Sequence, residues 1–491
     1  MQGKSLFKNS IYKCLLNIAN IIIPVIIGPY ITKLLDVELY GAYNKVYAEF
    51  QTFLIFASFG IYTFGVREIS KIRNDNEKVA NLFTGLFVLG IITNTIVGII
   101  YIIYSIMFSN GITTKIYLIF IIQIIANIFY MEFLNEALEN YKFITIKTLI
   151  VKIIYLILLL TFVKRPEDIL VYTLIISFTV FLNNIISYIY IRKKVKFDFK
   201  NLKILQYVKP LFLILILTNV EVLYGQLDRL MLGKFVEDIA VTKYYIPYYL
   251  LGTLAAVPYS VINVAIPRLS YIAKEGNNDS YEITLKKTVS SLFFMILPMC
   301  TGVAVLSNEI IFLYAGDKYG DISNILILSC AIRIVISIQS ILTNLVLYVK
   351  DKEKVIVKLS FIFGITNVIM NSILLILKIF TPFTSMLTTG IAEIMLIITQ
   401  YLYIKNKMNI NVNLITRQNI TYLILSLCFI PIAYIVKKIN FGFYANIIII
   451  ITICVALYVG VLLLKKDDSL YFIINKLKNR FNKENKIYGK Q

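Results

Sequence analysis

A handful of charged side chains stand where an apolar chain has least use for them. In the run Val220-Glu221-Val222-Leu223-Tyr224-Gly225-Gln226-Leu227-Asp228-Arg229-Leu230, two acids and an arginine interrupt a long hydrophobic stretch. Glu221 and Asp228, seven residues apart, share one face of a helix, with Arg229 at its edge. Arg333, in Ser329-Cys330-Ala331-Ile332-Arg333-Ile334-Val335, lies deeper, roughly 11 residues from either end of its apolar span. A charge at lipid depth costs about 2.5–3.5 kcal/mol on insertion scales, so such groups face protein or a wet cavity. The guanidinium fork suits phosphate or carboxylate oxygens, and a carboxylate partly stripped of water can load and release a proton or hold Na⁺. Arg333, Arg229, Asp228 and Glu221 are therefore the candidate cavity residues. For Arg333 the competing role is a structural ion pair; for Asp228 and Arg229 it is snorkelling to the headgroups.

A second constellation is the stripe Glu132, Glu136 and Glu139, which follows helical spacing near the end of an apolar run. With Arg67 and Arg268, which end two other runs, it suits a charge gate that pairs in one state and parts in the other. A solvated helix end accounts for it equally well. Glu49 and Glu393 are further acids inside apolar runs, and Gln123 and Asn127 share a face that lines a cavity or binds a neighbouring helix. Pro258, Pro267 and Pro298 are bending points or tolerated kinks. No catalytic group, metal site or cofactor is expected. Histidine is absent, no nucleotide-binding glycine motif occurs, and the five cysteines are scattered through apolar stretches.

The elements that carry these residues are membrane helices. The 491 residues are 58% hydrophobic and 16% charged, with a mean hydropathy of +0.78. Apolar stretches of bilayer-crossing length recur throughout. Fourteen spans are expected, near 11–35, 43–64, 80–108, 114–137, 147–163, 169–191, 210–232, 244–267, 288–314, 322–348, 359–380, 382–404, 420–437 and 443–464. The connections alternate between short base-poor loops and basic ones. The basic set, with the N-terminus and the tail, holds 36 of the 49 Lys and Arg. That bias places both termini in the cytoplasm and accounts for the net charge of +21 as orientation and attraction to anionic lipid, not nucleic-acid binding. The basic stretches 192–209 and 465–491 are amphipathic and suit the inner leaflet.

From the seventh span the pattern restarts. A shift of 201 positions pairs Lys33 with Lys234, Asp36 with Glu237, Tyr43 with Tyr244, Tyr47 with Tyr248, Thr52 with Thr253 and Arg67 with Arg268. Six helices per repeat imply parallel repeats about an axis along the membrane normal, with substrate between them. The expected divisions are 1–209 for helices one to six, 210–404 for helices seven to twelve, and 405–491 for two added helices and a basic cytoplasmic tail.

Three ordered motifs add a resemblance. They are Gly28-Pro29-Tyr30 with Phe56-Ala57-Ser58-Phe59-Gly60-Ile61 and Gly65-Val66-Arg67-Glu68-Ile69; Glu132-Phe133-Leu134-Asn135-Glu136-Ala137-Leu138-Glu139 before Tyr141-Lys142-Phe143-Ile144; and Leu227-Asp228-Arg229-Leu230-Met231-Leu232-Gly233 followed by Ile266-Pro267-Arg268. Together they resemble the Wzx-type polysaccharide flippases of the multidrug/oligosaccharidyl-lipid/polysaccharide (MOP) exporter superfamily. Phe133 stands where relatives have Trp, and Glu136 where they have Gln. The resemblance implies an all-α polytopic fold, two six-helix lobes in a V plus two C-terminal helices. It implies an inner-membrane flippase, not an enzyme, that carries polyprenyl-diphosphate-linked oligosaccharide repeat units between leaflets. Coupling to H⁺ or Na⁺ and delivery to a polysaccharide polymerase go with it. The rivals are a multidrug or lipid-linked peptidoglycan-precursor exporter, and a membrane glycan polymerase. Outer loops of about 5–10 residues leave a polymerase little room for a catalytic loop.

Overall fold

The computed structural model describes the backbone of residues 2–200, 202, 204–320 and 322–471. The side chains of residues 2–11, 13, 14, 17, 217, 218 and 220–224 lie outside that description, as do residues 472–491, which include most of the basic tail. Every described element is helical. The first part of the chain gives α1 (Gln2–Leu34), α2 (Val37–Ser58), α3 (Ile61–Ile72), α4 (Asn76–Phe108), α5 (Gly111–Ile128), α6 (Glu132–Ala137), α7 (Tyr141–Phe162), α8 (Ile169–Arg192) and α9 (Leu205–Phe235). The second gives α10 (Asp238–Lys274), α11 (Asn278–Val305), α12 (Ser307–Ala315), α13 (Ile322–Ser340), α14 (Glu353–Ile376), α15 (Pro382–Met408), α16 (Arg417–Leu427), α17 (Phe429–Ile439) and α18 (Phe443–Leu464). A π-helical turn, Ile341–Leu347, extends α13.

Among the described residues, twelve helices are long and apolar enough to cross a bilayer. The first and seventh expected spans contain shorter apolar stretches, Ile18–Leu34 in α1 and Leu205–Ile216 in α9. Several expected spans are split. The second is α2 and α3, broken where Phe59 and Gly60 both adopt left-handed backbone. The fourth is α5 and α6, broken at residues 129–131, the ninth α11 and α12, and the thirteenth α16 and α17. Lipid offers no water to a freed carbonyl, so each break needs an internal donor. At the first break Thr93 Oγ1 (2.8 Å) and Asn94 Nδ2 (3.2 Å) both donate to the Ala57 carbonyl.

The lipid-facing side of α4 carries branched apolar residues, and small and polar residues are buried on its other side beside Leu82, Phe83, Leu86 and Leu89. On α4, Ile92, Ile96, Ile99, Ile103 and Ile106 are exposed, while Gly85, Gly90, Asn94 and Ser105 are buried. That is the pattern of a bundle in lipid, where close approach and interhelical hydrogen bonds replace the hydrophobic effect. Local chemistry sets the starts: Asp36 accepts from the amides of Glu38 and Leu39, and Asp75 from Lys78.

The chain forms two compact units. The first comprises Met1–Ile246, Tyr314–Gly320 and Gly364–Ser385; the second Pro247–Leu313, Asp321–Phe363 and Met386–Gln491. In the first, α5 packs on α4 and α8, α2 on α4, α5 and α9, α7 on α1 and α8, and α3 on α6. Its base-rich end holds an apolar cluster of Phe64, Phe83, Leu86, Phe133 and Leu134. The basic linker after α8, expected on the leaflet surface, straps across this cluster through residues 193–200. Phe197 stacks on Phe83 (5.4 Å between centroids), Arg192 covers the Phe197 ring at 3.8 Å, and the Asp198 amide donates to Thr84 Oγ1 (2.8 Å). Its base-poor end is tied by polar bonds between α2 and the start of α10, and from the loop before α13 to the end of α1. Lys45 pairs with Asp238 (2.9 Å), Asn44 Nδ2 donates to Thr242 Oγ1 (2.9 Å), and Lys318 Nζ donates to the carbonyls of Lys33 (2.5 Å) and Leu35 (3.3 Å). In the second unit α11 is central, packed on α13, α16 and α17.

Candidate functional site

Arg333 lies on α13 in the second unit, 8% exposed. Its guanidinium faces the Tyr248 ring of α10 at 5.6 Å, and Nη2 is 3.7 Å from where a Cβ on Gly252 would stand. No ion pair to Arg333 exists among the described residues, and its buried Nε has no hydrogen-bond partner. A ring face offers attraction of about 0.5–2 kcal/mol, well short of the several kcal/mol that burying a charge costs. The arrangement is a buried cation with capacity for an anion.

In the first unit the adjacent charges of α9 turn to different partners. Asp228 is fully buried and accepts from the Tyr244 hydroxyl (3.0 Å) and from Asn371 Nδ2 (2.6 Å), which also reaches Asn367 Oδ1 (3.2 Å). Arg229, 8% exposed, donates from Nη2 to Gln226 Oε1 (2.5 Å) and lies 5.6 Å from the Tyr245 ring centroid. Asp228, expected on the charged face, and Arg229, expected at its edge, thus serve two environments, one accepting from Tyr244 and Asn371 and the other on an amide and a ring. The Glu221 side chain lies outside the described residues.

The acidic stripe divides likewise. Glu132 is held by Lys147, whose Nζ is 3.1 Å from both carboxylate oxygens, and by Ser187 Oγ at 2.6 Å; Lys147 Nζ also reaches Ser187 Oγ (2.8 Å). The pair is deep, with side chains 12% and 2% exposed. Glu136 sits beside the Tyr62 hydroxyl. Glu139, in left-handed backbone after α6, pairs with Arg73 at 2.5 Å. Arg67 turns to its neighbour Glu68 (2.8 Å), and Arg268, in the other unit, is exposed on α10. In this state Glu132 is partnered by Lys147 and Glu139 by Arg73, Glu136 lies beside Tyr62, and Arg67 pairs with Glu68.

Gln123 Nε2 donates to Ser177 Oγ (3.1 Å), and Asn127 Nδ2 to Asn94 Oδ1 (2.9 Å) and Ser58 Oγ (3.2 Å), so both bind neighbouring helices. Glu49 accepts from the Tyr117 hydroxyl, and Glu393 is buried on α15. Pro258, Pro267 and Pro298 lie inside α10 and α11, which continue through them. Sequence reasoning gave no site role to Lys147, Asn367 and Asn371, nor to Tyr244 and Tyr248, which it named only as repeat positions. The two asparagines, four apart in an otherwise apolar helix, carried a usable signal, since an amide in lipid needs a partner. Tyrosine, at 35 copies, carried none.

Residues 6–273 match the family described as polysaccharide biosynthesis protein. A putative O-antigen transporter of Shigella dysenteriae is 23% identical over 373 residues, covering 74% of this chain and 91% of that protein. The solved structure of the lipid II flippase MurJ, in an inward closed conformation, shares the fold with a TM-score of 0.71 at 17% identity, covering 93% of this chain and 99% of that one.

Proposed function

We propose, on the premise that this chain belongs to the polysaccharide biosynthesis protein family, that it is a flippase for polyprenyl-diphosphate-linked oligosaccharide repeat units. It works by alternating access as a multi-pass membrane transporter. A diphosphate and several sugars cannot cross hydrocarbon unaided, because each stripped polar group costs several kcal/mol. The carrier must supply a wet, partly cationic path. The observation that carries this reading is Arg333, a buried guanidinium without a carboxylate partner among the described residues. Arg229, on an amide and a ring, is the second cation available to the diphosphate or to an acidic sugar. Asp228, buried with its oxygens accepting from Tyr244 and Asn371, is the coupling carboxylate: H⁺ or Na⁺ would bind there by displacing one of these donors. The name of the Shigella relative points to the same class of cargo.

In this reading the Lys/Arg-rich loops and both termini are cytoplasmic, and the apolar stretches of α1 and α9 complete fourteen crossings in two six-helix repeats plus two. The test is reconstitution in liposomes with a polyprenyl-diphosphate oligosaccharide, scoring outer-leaflet exposure with and without a proton or Na⁺ gradient. Arg333→Ala should lower the rate by about tenfold or more, the loss of one charge-assisted contact, and Arg333→Lys should retain part of it. Absence of translocation for any such glycan sinks the proposal. Equal rates in all three proteins move Arg333 to a structural role.

A further inference from the structure

The base-poor end of the first unit contains a junction weak enough to open. Among the described residues α2 meets the start of α10 there through one ion pair, Lys45–Asp238, and two neutral hydrogen bonds at Thr242, from Asn44 Nδ2 (2.9 Å) and to the Tyr40 carbonyl (3.5 Å). The backbones touch because residue 41 is glycine: a Cβ there would stand 2.9 Å from the carbonyl carbon of Asp238. The same unit holds a contrasting pair. Lys147 and Glu132, 2% and 12% exposed, cannot part without stranding a charge away from water, whereas Lys45 and Asp238 are 29% and 32% exposed and can separate into solvent. One pair suits permanence and the other suits cycling.

Position supports the contrast. Under the 201-residue shift, Val37 falls on Asp238 and Gly41 on Thr242, so the junction lies where the opening hairpins of the two repeats face each other. A carrier that releases cargo at the base-poor side must part its repeats there. The geometry points to Lys45–Asp238 and Asn44–Thr242 as the latch that holds the exit shut in this state, with Gly41 permitting the closure. This rests on the flippase reading. Lys318, donating to the carbonyls of Lys33 and Leu35 from the loop before α13, braces the same end.

Two measurements test it. In a chain whose native cysteines are replaced by serine, Asn44→Cys and Thr242→Cys are bridged with a short bifunctional thiosulfonate, and cross-linking is confirmed by gel mobility after proteolysis. Cross-linked protein should lose transport by at least about tenfold, the scale of a population trapped on one side, and reductant should restore it. Transport within about twofold of the reduced form overturns the latch. The second readout needs no cargo. Labelling of Tyr47→Cys by an impermeant maleimide should rise about tenfold when Lys45→Ala is added, and return when Lys45→Asp is combined with Asp238→Lys. Labelling that ignores all three changes also overturns it. If the wild-type chain moves no glycan, the flippase reading fails and the labelling alone decides the latch.

Discussion

At the scale of single residues, what matters is how each buried charge is compensated. Lys147 has Glu132 and Ser187, Asp228 has Tyr244 and Asn371, and Arg333 has a ring. Removing one member of a buried pair leaves the other charge stranded, so Lys147→Met should destabilise by about 3–5 kcal/mol, read as a fall in thermal midpoint in detergent. Lys147→Met with Glu132→Gln should recover most of that loss; a double variant as unstable as the single would show that packing, not charge, is at stake. Outside the membrane, the amides of Lys164 and Arg165 (2.9 and 2.8 Å) hold the Asp168 carboxyl below its ordinary range. A depressed carboxylate lends its stability above the ordinary carboxylate range, and that contribution fades as pH falls through the lowered value. Asp168→Asn should therefore loosen the turn at neutral pH, with trypsin cleaving after Lys164 about threefold faster, the scale of a lost surface hydrogen bond. An unchanged cleavage rate would remove Asp168 from that role. These charges were the most legible feature of the sequence, because lipid makes each one conspicuous. Their partners were not. Tyr248 and Gly252 are ordinary membrane-helix residues until the fold sets them against Arg333.

At the scale of elements, the sequence pattern shows where helices cross but not where they break. Lipid asks for apolar side chains on both sides of a break, so hydropathy runs on through Phe59–Gly60 and through residues 129–131. The half-helices beyond these breaks, α3 and α6, pack on each other. Their contact depends on Gly65, where a Cβ would meet the Phe133 ring at 2.5 Å, and Phe133 is 1% exposed and cannot swing away. Gly65→Ala should cost about 1–3 kcal/mol by overpacking, and Phe133→Leu in the same chain should return part of it. Equal stability of Gly65→Ala and wild type in detergent melting would show that α3 and α6 have slack. The motif containing Gly65 was visible early, but its physical reason, room for a ring from another helix, needed the fold.

At the scale of the whole molecule, the all-helical membrane class followed from composition alone, because 58% hydrophobic residues over 491 positions cannot be hidden inside a water-facing exterior. The course of the basic linker at 193–200 did not follow: its charges suit a leaflet surface, and they say nothing of the stacking of Phe197 on Phe83. The buried Lys147–Glu132 pair has a consequence for biogenesis. The two residues are 15 positions apart, on the helices that flank one tight turn. Delivered to the bilayer separately, each would oppose insertion by about 2.5–3.5 kcal/mol. Delivered together they neutralise each other, so α5, α6 and α7 should leave the insertion machinery as one hairpin, with α8 arriving afterwards to bring Ser187 to the finished pair.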